Sequence, residues 1–295
     1  MNKIIQSVPN FSEGRDLQKI EQIVDVFRAR ENVKLLNYSN DRDHNRMVAT
    51  VIGEPEAVKN AVIDAVGKAV ELLDLTAHTG EHPRVGVADV VPFVPIKNVT
   101  MEEAVVLSKE VGKTVAEKHN LPVFLYEKSA SAPHRENLAD IRRGGFEGLT
   151  EKMKLSEWKP DFGEDEPHPT AGVSVIGARI PLIAYNVNLN TNNIEIANAI
   201  AKKIRFSNGG LRYCKAIGVN LKEKGIVQVS TNITDYTQTP LYQVFELIKI
   251  EAKRYGTTIA GSETIGLVPL EAVVDTASYY LGIEKTDFRF LDFEI

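Results

Sequence analysis

The order of strands and helices constrains this chain more than any single motif, because the same order runs through it twice. In the first half IIQSVPNF is a short apolar strand. DLQKIEQIVDVFRA follows, with Leu17, Ile20, Ile23, Val24 and Phe27 at helical spacing and Asp16 placed as an N-cap. VKLLNYS and RMVATVIG read as strands joined by the polar turn NDRDHN. PEAVKNAVIDAVGKAVELLDL is a helix opened by Pro55, GVADVVPFVPI a strand, and TMEEAVVLSKEVGKTVAEKH a helix whose Thr100 and Glu103 form a capping box. PVFLYE closes as a strand.

In the second half IPLIAYNVNL is a strand and NNIEIANAIAKKIRF a helix capped by Asn192 or Asn193. YCKAIGVNLKE and IVQVSTNIT are strands joined by a Lys-Gly turn. TPLYQVFELIKIEAKRYG is a helix with Thr239 as cap, Pro240 at its first position and Gly256 as terminator. A strand region, TTIAGSETIGLVP, and a helix, LEAVVDTASYYLGI, follow.

Each half therefore reads β-α-β-β-α-β-α, which is the split βαβ pattern. The expected class is α/β (α+β): two similar subdomains, each a ferredoxin-like sheet with helices on one face, and a ligand cleft between them. The division expected is 1–178, including a connector over 156–178, and 179–295. The stretch SEWKPDFGEDEPHPTAG (156–172) carries three prolines and five acids, so it reads as a loop. Its length and its aromatic residues favour a working loop over a bare spacer.

Composition limits what such a fold is for. At 43% hydrophobic and 25% charged residues the chain buries ordinary cores without disulfide staples. Its one cysteine, Cys214, has no partner within the chain, and no secretory apolar segment follows Met1, so a reducing, cytoplasmic setting is expected. No run of about 18 apolar residues exists to span a membrane. A net charge of −5 argues against a general nucleic-acid binder while leaving room for small anions held by local arginines.

The densest chemistry lies in HTGEHPRVGVADVVPF, residues 78–93. His78 and His82 have the spacing of two zinc ligands on a helix, but Gly80 and Pro83 break any helix and no HExxH or cysteine pair accompanies them. No metal is expected. His82 precedes a buried strand, on a connection held by Pro83, where a sheet end faces a cleft. Imidazole titrates near neutrality and can take and return a proton. On the residues alone His82 reads equally as a proton-transfer group or as a surface-loop histidine. Glu81 either orients it or is solvated. In NDRDHNR, Arg42 and Arg46 have the fork to hold a carboxylate, although hairpin turns look like this without a ligand. Asn10 ends the first strand, and Asn186 and Asn188 occupy the matching strand of the second half, as polar groups for one cleft or as turn chemistry. Phosphate loops are excluded: GSETIGL has Leu267 where lysine is required, and RRGGFEG (142–148) lacks a strand-loop-helix setting.

Taken together, SVPNFSEGR, GEHPRVGVADVVPF, WKPDFG, GARIPLIAYNVNL, VQVSTNITDY and GSETIGLVPLEA resemble the formiminotransferase family over essentially the whole chain. The resemblance implies a dimeric two-subdomain transferase that moves a formimino group from N-formimino-L-glutamate to N5 of tetrahydrofolate, in histidine breakdown. The chain looks like the stand-alone form of a region fused in animals to a cyclodeaminase. The family's catalytic histidine falls on His82. Its folate-binding connector falls on Gly163, Glu164, Asp165, Glu166, Pro167, His168, Pro169, Thr170, Ala171 and Gly172. Arg84 and Arg179 are candidates for glutamate-type carboxylates, with Arg42 and Arg46 behind them, each equally readable as a structural ion-pair member. One departure stands out: the second strand reads LLNYS, with Asn37 and Ser39 where the animal pattern has acids. Asp41 or Asp43 would have to replace them, or the donor differs. Formyl transfer between 5-formyltetrahydrofolate and glutamate, and folate binding without transfer, are the alternative readings.

Overall fold

The computed structural model describes residues 3–28, 30–80, 82–221 and 224–284. It divides into two compact units, Met1–Ile180 and Pro181–Ile295. The first unit runs β1 (Ile4–Ser7), β2 (Asn10–Phe11), α1 (Leu17–Arg28), β3 (Val33–Asp41), β4 (Arg46–Gly53), α2 (Pro55–Leu72), β5 (Ala88–Lys97), α3 (Met101–His119), β6 (Val123–Leu125), α4 (Leu138–Arg142), α5 (Leu149–Met153) and β7 (Ser174–Ala178). The second runs β8 (Ile183–Leu189), α6 (Ile194–Ile204), β9 (Cys214–Leu221), β10 (Ile226–Ile233), α7 (Leu241–Arg254), β11 (Ile259–Ile265) and α8 (Leu270–Leu281).

β1 and β2 are two pieces of one strand, since both pair antiparallel with β4 on one side and β5 on the other. The break falls at Val8 and Pro9, where proline has no N–H to give the ladder. Counting that strand once, the order β3-β4-β1/β2-β5 and the order β9-β10-β8-β11 are the same ferredoxin-like arrangement. Helix starts follow the sequence closely. The Asp16 side chain accepts from the N–H groups of Gln18 and Lys19, Thr100 and Glu103 close their capping box, and Asn193 caps α6. α7 differs by one step: Pro240 stands in the cap position in extended backbone, and the helix begins at Leu241.

The first sheet goes beyond the simple pattern. β7 and β6 add parallel to β5, and α3 is the crossover they require. The strand β7 lies at the end of the stretch read as connector. Alternate residues of this extension feed two cores. Ile176 and Ala178 join the main core with Ile20, Phe27, Val62 and Phe93. Val173 and Val175 join a second core with Phe124, Ile141, Leu149 and Met153 from β6, α4 and α5. Helices therefore cover both faces at this end of the sheet, because a strand buried on both sides needs cover on both. In the second unit Ile183, Tyr185, Val187 and Leu189 turn to the helices, leaving Asn186 and Asn188 on the opposite face.

Among the described residues no helix is long and apolar enough to cross a membrane.

Candidate active site

Three irregularities of the first sheet gather the polar groups. The break between β1 and β2 brings Asn10 to the start of β4. The β3–β4 turn ends with Asn45 in a left-handed conformation (φ 49°), which asparagine tolerates. Asn45 accepts from the Gly14 N–H at 2.9 Å and donates to the Thr79 carbonyl at 3.0 Å, so the turn and the residue 78–87 stretch are tied together. The third irregularity is a β-bulge. Asn10 pairs with Val90 but Phe11 pairs with Ala88, so Asp89 is the extra residue of β5. Asp89, only 3% exposed, accepts from the Val85 N–H at 2.8 Å and pairs with Arg142 of α4.

Ser12, His44, Asn45, Arg46, His78, His82, Arg84 and Asp89 line one cavity of about 10 Å³, room for about one water molecule. Within it Arg46 Nη1 lies 2.9 Å from His82 Nε2. Arginine can only donate, so Nε2 is the acceptor and the imidazole is neutral with its proton on Nδ1. The other Arg46 amino group donates to Asn10 Oδ1, and Asn10 Nδ2 donates to the Val8 carbonyl at 2.7 Å, which fixes which way the amide faces. Burial pushes His82 down to about 2, with the Arg46 and Arg142 guanidiniums and the His44 ring adding to the effect. The His44 ring stands edge-on to His82, 6.0 Å away. Burial likewise pulls Arg46 down to about 10, with Arg142 helping.

His78 does not share a ligand with His82. Its Nε2 donates to the Asn45 carbonyl at 2.8 Å, while His82 Nε2 faces Arg46. Arg84 donates to the His78 carbonyl at 3.0 Å and to Glu147 at 2.8 Å. Glu81 lies outside the described residues. Asn37 and Ser39 are exposed on β3, opposite Thr50 and Val48. Asp41 accepts from the His44 N–H at 2.8 Å and sits 3.3 Å from the His44 ring nitrogen.

The connector splits in two. Gly163 (φ +93°), Glu164, Asp165 and Glu166 are exposed, with Asp165 paired to Lys159 at 2.9 Å. From Pro167 the chain folds inward: the backbones of His168 and Gly172 exchange two hydrogen bonds of 2.9 Å around Pro169, Thr170 and Ala171. His168 Nδ1 accepts from the Ala171 N–H at 3.0 Å and so holds the turn from inside. This hairpin is bonded directly to the His82 stretch, through Val87 N–H to the Ala171 carbonyl at 3.0 Å and Val173 N–H to the Val85 carbonyl at 2.9 Å.

Residues 4–179 match the formiminotransferase domain, N-terminal subdomain, and residues 184–292 match the formiminotransferase domain. The chain belongs to the formiminotransferase family. It is 49% identical to the glutamate formimidoyltransferase of Streptococcus pyogenes serotype M1, over 98% of this chain and 97% of that one. It is 45% identical to the glutamate formimidoyltransferase of Thermoplasma acidophilum, over 96% and 94% of the two chains. The formimidoyltransferase-cyclodeaminase of Dictyostelium discoideum is 44% identical over 97% of this chain, which corresponds to 54% of that protein.

In this formiminotransferase chain the fold brings together His82, Arg84, Asn10 and the 168–172 hairpin. Arg179 N–H donates to the Phe93 carbonyl at 3.0 Å, and its charge lies by buried Tyr126, which the charge of Arg142 also reaches. Asn186 and Asn188 belong to the second unit. There Gln228 Nε2 donates to Asn188 Oδ1 at 2.8 Å and to Glu263 at 2.9 Å, and Asn186 is 3.4 Å from the same carboxylate. Sequence reasoning passed over Asp89 and Arg142 and ranked Arg46 low. The available signal was Asp89 itself, a charge inside the apolar run GVADVVPF, since a buried carboxylate requires a partner.

Proposed function

We propose that this chain transfers the formimino group of N-formimino-L-glutamate to N5 of tetrahydrofolate, with His82 as the proton shuttle. Beyond family membership, what carries the reading is the neutral imidazole at the polar cavity, its Nε2 lone pair turned toward a guanidinium. N5 attacks the amidine carbon and forms the new C–N bond. The N5 proton passes to His82 Nε2. The same nitrogen then returns the proton to the departing glutamate nitrogen as the old C–N bond breaks. Glutamate and 5-formiminotetrahydrofolate leave, and His82 is neutral again. Such proton transfer is worth about 10²–10⁴-fold, and the rest of the rate comes from holding two substrates in line.

The connector Gly163–Gly172 holds the folate in this reading. Its bonded contact with residues 85–87 supports that assignment, because a ligand on the hairpin lies next to the His82 stretch. Tetrahydrofolate acts as co-substrate, no metal takes part, and the working unit is a homodimer. A reducing compartment suits the single buried cysteine.

The test is His82→Ala. Folding and folate affinity should survive while turnover falls by about 10²–10⁴-fold, read from the absorbance of the folate product. Transfer near the wild-type rate would remove His82 from the mechanism. Assay with formiminoglutamate and with the formyl pair in turn separates the two donors.

A further inference from the structure

Arg46 is a cation in an unusual position. Among the described residues its side chain reaches two partners, His82 Nε2 and Asn10 Oδ1, and neither is charged. Its Nε is buried with no partner. Among the described residues no carboxylate is within ion-pair distance: Asp89 and Asp41 act on it only from farther off, and they contact Arg142 and His44 instead. Holding a largely desolvated guanidinium with no carboxylate in contact is costly, so an anionic ligand group that reached it would be bound favourably. Arg84, the other arginine of the cavity, already holds Glu147.

The same guanidinium sits on the atom the chemistry needs. While Arg46 donates to Nε2, that lone pair is taken. Among the described residues the groups facing His82 are cationic or neutral: Arg46 from β4, Arg142 from α4, and His44 from the β3–β4 turn, with Asp89 neutralised by Arg142. A histidine in that surrounding is a poor base, since efficient proton transfer asks for a pKa near the working pH.

We propose that Arg46 is the receptor for the α-carboxylate of the glutamate-type donor, and that binding it draws the guanidinium off His82 Nε2 and so switches the base on. This rests on the formimino-transfer reading. The α-carboxylate is the fitting anion because it sits on the same carbon as the departing nitrogen. A carboxylate on Arg46 therefore places that nitrogen beside the imidazole that must protonate it. The glutamate tail of the folate is separated from N5 by its aminobenzoyl group and cannot meet both demands. The bound anion supplies the missing negative charge, raising the basicity of His82 when the substrate is in place and leaving it low otherwise. Arg46 thus binds the donor and positions the proton shuttle.

The test is a histidine NMR titration of the full chain, wild type and Arg46→Met, alone and with formiminoglutamate or N-formimino-γ-aminobutyrate, which lacks the α-carboxylate. The expectation is that wild-type His82 titrates far below the ordinary range alone, moves up by at least one pH unit with formiminoglutamate, and does not move with the truncated donor. In Arg46→Met it should start higher and respond to neither. The KM for formiminoglutamate should rise at least tenfold in that variant, and its preference over the truncated donor should vanish, with Arg46→Lys recovering part of it. An unchanged His82 titration in Arg46→Met, or equal use of both donors by the wild type, overturns the proposal. Absence of any transfer by the wild type counts instead against the formimino reading, because the response of His82 to Arg46→Met is read without turnover.

Discussion

Asp89 and Arg142 form the support on which the cavity rests. Asp89 is buried and Arg142 largely so, and each removes much of the cost of the other's charge. Asp89→Asn leaves Arg142 buried without a counter-ion beside His82 and Arg46. It should lower stability by about 3–5 kcal/mol, measured by urea unfolding. Adding Arg142→Met should restore part of that loss, since the double change leaves no orphaned charge. A double variant no more stable than Asp89→Asn would show that the pair is not what holds the site. Among single residues, His82 and Asn10 could be singled out as candidates because each stands in a long motif next to a buried strand. Arg46 and Arg142 were not, because surface turns are rich in arginine and neither motif says which side chain turns inward.

At the scale of elements, the site depends on places where strands fail to be regular. The Val8–Pro9 break, the bulge at Asp89 and the 168–172 hairpin each re-aim a side chain that a continuous ladder would point elsewhere. Gly172 shows how tightly the hairpin is closed. Its φ is +70°, and a Cβ there would stand 2.2 Å from the Val85 carbonyl oxygen. Gly172→Ala should therefore lift the hairpin off the His82 stretch at a cost of about 1–3 kcal/mol, while both cores stay intact. Hydrogen exchange checks this: the amides of Val87 and Val173 should lose protection and those of α2 should not. Equal loss in both would mean that the hairpin and the core open as one unit. The long helices α1–α3 and α6–α8 were legible to within two or three residues, because capping and 3.6-residue spacing are local, while the five-residue helices α4 and α5 went unread because so short a segment shows no period. β7 was hidden in the connector, because a short strand buried on both faces carries no alternation to read.

For the molecule as a whole, acid is the expected weakness. His78, His82, His119 and His168 are all held below their ordinary range, chiefly by burial. The unfolded chain binds these protons near pH 6.5 and the folded chain does not, so the stability they contribute is present above pH 6.5 and is lost as pH falls below it. His82 alone should account for about 1.4 kcal/mol between pH 7.5 and 5.5. Denaturant unfolding at those two values should show the loss in the wild type and a smaller one in His82→Gln. Identical losses would assign the acid sensitivity to the other histidines.

By itself the sequence determined the class of fold, its duplication into two ferredoxin-like units and the family, because hydrophobic periodicity, caps and long motifs are properties of neighbours along the chain. It also brought His82 forward as a candidate. Only the tertiary structure decided which arginine faces that histidine, that Asp89 is the bulged residue locked to Arg142, and that Arg179 is bonded to Phe93 in the middle of β5. Those facts follow from strand register and from where α4 packs. A one-residue shift of register turns a side chain to the opposite face, and the bulge at Asp89 makes such a shift where the apolar run shows no break.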